Sequence, residues 1–149
     1  MNGKTSMVRT EIEIDASDEL VWQVLTDFEA YPEWNPFIHR ASGRAKPGAL
    51  LEVAVAPPGA REMTVRPIVL WVEPRRELRW AGRLLLPGSY DGEHSYLIEP
   101  LGPNRVRLVH QELFEAEQTP AVMQSLVRRE KLGFEEMNQA LKTRAEELR

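Results

Sequence analysis

A long helix at the C-terminus is the feature that most limits what this chain can fold into. From Pro120 to Leu148, apolar residues recur at three- and four-residue steps along one stripe, the pattern of an amphipathic helix. Thr119 suits the N-cap and Pro120 the first helical position. At 1.5 Å per residue the helix is roughly 43 Å long. It must therefore lie across a whole small domain, and the rest of the chain must cover its apolar stripe.

The remaining sequence predicts mainly strands. Residues 7–14, MVRTEIEI, alternate as a half-buried strand does, and DASDELVWQVLTDF predicts a short helix with Ser17 as its cap. YPEWNPF is a second short segment, which Pro36 ends. Residues 37–114 contain strands joined by turns such as PLGPN, and Pro67 marks an edge, a bulge or a kink. The order predicts an α+β fold, with a curved antiparallel sheet around the C-terminal helix.

Composition excludes several classes of protein. The chain has no cysteine, which rules out disulfides and thiolate catalysis. Its 19 basic and 23 acidic residues give a net charge of -4, so we expect no nucleic-acid partner. No apolar run approaches the roughly 20 residues of a membrane span, and the N-terminus lacks a signal-peptide pattern. We expect one cytoplasmic domain over residues 8–148, monomeric or homodimeric, with residues 1–7 as a disordered tail and no stable membrane insertion.

Ionisable residues occur on the inner face of a predicted hairpin. In VHQELF, His110 and Glu112 share the phase of the apolar residues. If PLGPN closes the hairpin with Ile98 opposite Val106, then His94 faces His110 and Tyr96 faces Leu108. The opposite phase carries mainly charged residues, so the histidines and Glu112 are predicted to lie inside, where they need partners.

The helix and a second hairpin add further candidates. Glu130 lies within the apolar stripe of the helix, and Gly133 beside it leaves either a gap for a ligand or a place for close packing. If Val72 faces Leu78, then Leu70 meets Trp80 and Ile68 meets Gly82. Arg66 shares that phase and could pair with Glu112 or Glu130 or hold a ligand carboxylate, although a solvent position at the rim is favoured. Trp71 falls on the outer face.

These patterns define the candidate residues. The catalytic candidates are His94, His110 and Glu112. The ligand-binding candidates are Arg66, Trp80, Tyr90, His94, Tyr96, Leu108, His110, Glu112, Met123, Val127, Glu130, Phe134 and Met137. No metal site and no cofactor are predicted.

Several segments resemble the START-like, helix-grip superfamily. They are IEIDASDELVWQVLTDFEAYPEWNPF, MTVRPIVLWVEPRRELRWAGRLLLPGSYDGEHSYLIEP, VHQELF and GFEEMNQALKTRAEEL. More narrowly, they resemble its bacterial branch of polyketide cyclase/dehydrase and lipid-transport proteins, the SRPBCC families. The resemblance implies a seven-stranded curved sheet that grips the helix, with a cavity between them for a hydrophobic or amphipathic molecule such as a lipid, polyketide or aromatic metabolite.

The polar cluster admits four interpretations. The groups could satisfy one another structurally, orient an amphipathic ligand, act as an acid–base pair in enolisation, cyclisation or dehydration, or bind a metal if the ring nitrogens converge. We favour ligand binding and leave enzymatic activity open. Related helix-grip domains are co-chaperones that activate an ATPase through their surface. Such a protein should have a tight, dry core between Phe134 and the strands of His94 and His110.

Overall fold

The computed structural model describes residues 4–83, 90–116 and 120–149, except for the side chains of 4, 5, 83, 90, 91, 115, 116 and 120. Its strands are β1 (Lys4–Ile14), β2 (Ile38–Ser42), β3 (Glu52–Val55), β4 (Met63–Val65), β5 (Ile68–Glu73), β6 (Glu77–Arg83), β7 (Tyr90–Gly102) and β8 (Arg105–Ala116). They form a five-stranded antiparallel sheet in the order β1-β8-β7-β6-β5 and a three-stranded one in the order β2-β3-β4.

The α+β helix-grip prediction is confirmed, but the described strands form two sheets where a single seven-stranded one was predicted. Pro67 is the reason, because it separates β4 from β5 within what the sequence presents as one strand. The sheets remain joined at this corner by backbone hydrogen bonds, from Leu51 N to the Pro67 carbonyl at 2.8 Å and from Val69 N to the Ala49 carbonyl at 2.9 Å. The three-stranded sheet therefore continues from the edge of the larger one.

The helices begin and end close to where the sequence predicts. Helix α1 (Asp18–Thr26) has Ser17 as its N-cap, whose side chain accepts from Leu20 N at 3.2 Å. One 3-10 turn leads to α2 (Tyr31–Trp34). Helix α3 (Pro120–Leu148) packs against α1, β1 and β8. No helix within the described ranges is long and apolar enough to span a membrane.

The β7–β8 hairpin keeps the predicted faces but not the predicted partners. Tyr96 lies opposite His110 and His94 opposite Glu112, so the predicted His94–His110 and Tyr96–Leu108 pairs are wrong by two residues. The cause is a tighter turn, in which Gly102 pairs with Arg105 after a bulge that follows Pro100. A shift by two residues leaves every side chain on its original face, so both histidines and Glu112 are buried.

A bulge also changes the β5–β6 pairing. Val72 lies opposite Leu78 as predicted, but Val69 takes the position opposite Trp80 that was assigned to Leu70. The extra residue turns Leu70 outward, because a bulge inserts one residue without a partner. Trp71 lies on the outer face, as predicted, and the Arg79 guanidinium lies over its ring at 5.6 Å.

Candidate functional site

Four buried side chains form a hydrogen-bonded chain from β1 across α3 to β7. Thr10 Oγ1 donates to the His110 carbonyl at 3.1 Å, and Asn138 Nδ2 donates to Thr10 Oγ1 at 2.8 Å. The Nδ1 atom of His110 lies 2.8 Å from Asn138 Oδ1. The Nε2 atoms of His94 and His110 lie 2.6 Å apart. The histidines thus hydrogen-bond to each other directly, and Asn138 holds His110.

This chain determines the tautomers of both histidines. Asn138 Oδ1 can only accept, so His110 carries its proton on Nδ1 and accepts at Nε2 from His94. The Nδ1 atom of His94 then carries no proton and presents a lone pair. It lies 3.9 Å from Glu112 Oε2. Burial lowers the pKa of His110 to about 3 and that of His94 well below 6.5. Both imidazoles are therefore neutral at pH 7.

Aromatic rings close the space between the histidines and α3. The His110 ring stacks on Phe134, with centroids 3.9 Å apart and planes 6° apart. Tyr96 stacks on His94 at 5.0 Å, and its hydroxyl points at Met137 Sδ at 3.7 Å. Sheet and helix are in close contact here, so the predicted cavity does not lie between Phe134 and the histidines.

The space beside Gly133 is also filled. A Cβ atom at Gly133 would overlap the ring of Phe37, which packs edge-on against Phe134 at 5.6 Å. Of the two possibilities at this glycine, close packing is the one observed. Gly133 is needed because an aromatic ring from the loop before β2 occupies the position of a side chain.

We expect Gly133→Ala to destabilise the protein by about 1–3 kcal/mol, even though alanine favours a helix by about 1 kcal/mol over glycine. The physical reason is that the buried Phe37 ring must move. Urea unfolding measures the effect, and Glu136→Ala on the exposed side of α3 is the control. A stabilised Gly133→Ala would show that the ring moves without cost.

A partly enclosed cavity of about 60 Å³ lies instead between the three-stranded sheet and β6 to β8. Its polar side consists of His94, Glu112 and Glu130, and Trp80 lies beside them. Its apolar side consists of Phe37, Ile38, Val53, Val55, Met63 and Val65. The sequence analysis missed this apolar side, although the alternation of GALLEVAVAP places Val53 and Val55 on one face.

Glu112 is the least satisfied group in this cavity. Only 8% of the residue is exposed, and its Oε1 atom has no hydrogen-bond partner among the described residues. Its other oxygen occupies space that a side chain at Gly92 would take. Burial raises the pKa of Glu112 well above 4.5. Repulsion by Glu130 and a hydrogen bond to Glu130 raise it further. The site therefore favours the neutral, protonated form of Glu112.

The other candidates lie outside the cavity. Tyr96, Leu108, Met123, Phe134 and Met137 are buried in the core, and Val127 is half-buried at its edge. Arg66 is placed on the surface, where its Nε atom is 3.4 Å from Glu52 and 62% of its side chain is exposed. The side chain of Tyr90 lies outside the described residues.

The geometry of the two histidines is unsuited to a metal. Within the part of the chain that the structure describes, no three histidine, aspartate or glutamate side chains converge as metal ligands. Each histidine uses Nε2 to contact the other, and His110 uses Nδ1 to contact Asn138. Only the Nδ1 lone pair of His94 remains for a further contact.

Sequence comparison agrees with this architecture. The family model described as "Polyketide cyclase / dehydrase and lipid transport" matches residues 6–146. The chain belongs to this family. The cavity described above therefore lies in a member of the polyketide cyclase/lipid-transport family. Comparison with curated protein sequences gives no match.

Solved structures with the same fold include proteins of different activities. A START superfamily protein from Mycobacterium smegmatis is 26% identical, with a TM-score of 0.76 over 96% of this chain and 99% of that one. The Zhui aromatase/cyclase from Streptomyces sp. R1128 is 18% identical, with a TM-score of 0.75 over 96% and 94%. Norcoclaurine synthase from Thalictrum flavum is 15% identical, with a TM-score of 0.74 over 99% and 98%.

Proposed function

We propose that this protein binds a hydrophobic or amphipathic small molecule, such as a lipid, a polyketide or an aromatic metabolite, in the cavity between its two sheets. The observation that carries the proposal is a neutral, incompletely hydrogen-bonded Glu112 at the polar side of an otherwise apolar cavity. A few polar groups in an apolar pocket orient a ligand. A buried acceptor without a partner costs about 1–3 kcal/mol, which a ligand would recover.

The volume indicates how such a molecule is held. At about 10–15 Å³ for each enclosed water, the 60 Å³ space accommodates roughly four to six waters. Ligand pockets usually measure about 300–1,000 Å³. The enclosed space therefore accepts one end of an amphipathic molecule, with the polar end at Glu112 and His94 and the apolar part along β3 and β4.

A second candidate function is catalysis of the cyclase or dehydrase type. It is favoured by the adjacency of a neutral carboxylic acid on Glu112 and a neutral imidazole on His94, 3.9 Å apart. Glu112 could protonate a leaving hydroxyl or a carbonyl, and the His94 Nδ1 lone pair could accept a proton. His110 takes no direct part in this hypothesis, since both its nitrogens are engaged.

The surface-acting, co-chaperone-like alternative receives partial support. The close packing of Phe134 on His110 is the dry core that this hypothesis requires at that position. The cavity between the sheets and its unsatisfied Glu112 are not explained by it. We therefore place this alternative behind ligand binding.

A pair of variants at Gly82 tests the binding proposal. Gly82 lines the cavity, and a Cβ atom there would make only an ordinary 3.7 Å contact with Pro67. We expect Gly82→Ala to leave binding nearly unchanged and Gly82→Ile to weaken it by about tenfold or more, because a larger side chain fills the space. Native mass spectrometry of freshly purified protein identifies a retained ligand, and titration of that ligand measures both variants. Equal binding by wild type and Gly82→Ile would place the ligand elsewhere.

A further inference from the structure

The polar side of the cavity presents acceptors, because the proton of the Glu112 carboxyl is engaged in the hydrogen bond with Glu130. Glu112 Oε1 is buried and has no partner among the described residues. The Nδ1 atom of His94 carries no proton, because the hydrogen bonds through His110 and Asn138 place the proton of His94 on Nε2. Its distance of 3.9 Å to Glu112 Oε2 is too long for a hydrogen bond. A ligand group that donates a hydrogen bond would therefore satisfy this end of the cavity.

The same groups restrict the charge of the ligand. Neither Glu112 nor His94 offers a positive charge, because burial raises the pKa of the carboxyl and lowers that of the imidazole. Glu130 also lines the cavity, and the repulsion by which it raises the pKa of Glu112 would act on an anionic ligand group as well. A carboxylate or phosphate offers only acceptors and would meet Glu112, Glu130 and the His94 lone pair. A hydroxyl group supplies the donor without a charge.

We propose that the cavity selects apolar molecules that end in a hydroxyl group, whose O–H donates to Glu112 Oε1, over apolar molecules that end in a carboxylate, a phosphate or a group that cannot donate a hydrogen bond. This inference rests on the proposed binding function and names the chemical class of the ligand. Glu112 is the residue that determines the selection, with His94 beside it.

Three six-carbon probes test the selection at pH 7. They are 1-hexanol, 1-chlorohexane and hexanoate, which share a chain and differ in the end group. Methyl signals of Ile38, Val53 and Val55, which line the cavity, report binding by NMR titration. We expect 1-hexanol to bind about tenfold more tightly than 1-chlorohexane, because only the alcohol satisfies the buried acceptor. The carboxylate should bind more weakly than the alcohol.

Two substitutions at Glu112 should have opposite effects. Glu112→Gln keeps an acceptor oxygen and should keep the preference for 1-hexanol, whereas Glu112→Met removes it and should abolish the preference. Glu93→Gln, on the exposed face of β7, is the matched control. The comparison of end groups on wild-type protein stands even if Glu112→Met does not fold.

The outcomes separate this inference from the binding proposal. Binding of 1-chlorohexane as tightly as 1-hexanol would leave the binding function standing and overturn the selection. Hexanoate binding as tightly as the alcohol, or a preference that survives in Glu112→Met, would overturn it as well. Failure of all three probes to bind would overturn the binding proposal and the inference together.

Discussion

Phe134→Ala is expected to destabilise the protein by about 3–5 kcal/mol, the usual cost of truncating a fully buried aromatic residue. Phe134 has no exposed surface and contacts both the His110 ring and the Phe37 ring. Its removal would leave a hole at the junction of helix, large sheet and the loop before β2, and would expose the His110–Asn138 bond. Urea or thermal unfolding monitored by circular dichroism measures the change.

A matched control lies on the same helix. Leu132 is 48% exposed, so Leu132→Ala should change the free energy of unfolding by only about 0.5 kcal/mol. Phe134→Leu should lose less than the alanine variant, because most of the volume remains. If Phe134→Ala proved as stable as Leu132→Ala, Phe134 would be a wall of an adaptable pocket and not part of the core.

Stability should pass through a maximum near pH 6.5. In the folded state His94 and His110 stay neutral, while in the unfolded chain both gain protons below 6.5, so acidification favours unfolding. Glu112 acts in the opposite sense. Its raised pKa keeps it protonated in the folded state, whereas in the unfolded chain it ionises above pH 4.5, so a rise in pH favours unfolding. The difference in bound protons is about one on each side of the maximum, or roughly 1.4 kcal/mol per pH unit.

Glu112→Gln isolates the carboxyl contribution. Without the ionisable carboxyl, the free energy of unfolding should rise more steeply between about pH 5 and 6, at up to roughly 2.7 kcal/mol per pH unit. It should then remain level above pH 7. Chemical unfolding at a series of pH values and constant ionic strength compares the two proteins, with Glu93→Gln as the surface control. A wild-type curve that parallels that of Glu112→Gln from pH 6.5 to 8 would mean that Glu112 is ionised in the folded protein.

The helices and the faces of the strands were predictable because they depend on local pattern. Helix α3 spans the predicted residues, since its start signal at Pro120 and its 3.6-residue period are contained in one segment. Alternation placed Glu112 and both histidines inside for the same reason, since an even error in register does not change the face. The predicted strand partners were wrong because bulges near Pro100 and Leu70 shift the pairing register. The alternation of apolar and polar residues does not indicate where a bulge lies.

The position of the cavity was decided by tertiary structure. A glycine in an apolar helical stripe predicts reduced volume at Gly133, but only the folded chain shows that Phe37, almost a hundred residues earlier in the sequence, fills it. The pairing of His110 with Asn138 and Thr10 likewise joins α3, β1 and β8.

By itself, the sequence determined the class of fold, the long helix and the inward position of the ionisable residues, because each follows from residue types at short spacing. The family followed from the resemblance of whole segments to known proteins. The tertiary structure decided which of those residues satisfy one another and which does not. His94 and His110 find partners, while one oxygen of Glu112 remains without one among the described residues. Hydrogen bonding between distant segments depends on atomic positions within a fraction of an ångström, which periodicity does not specify.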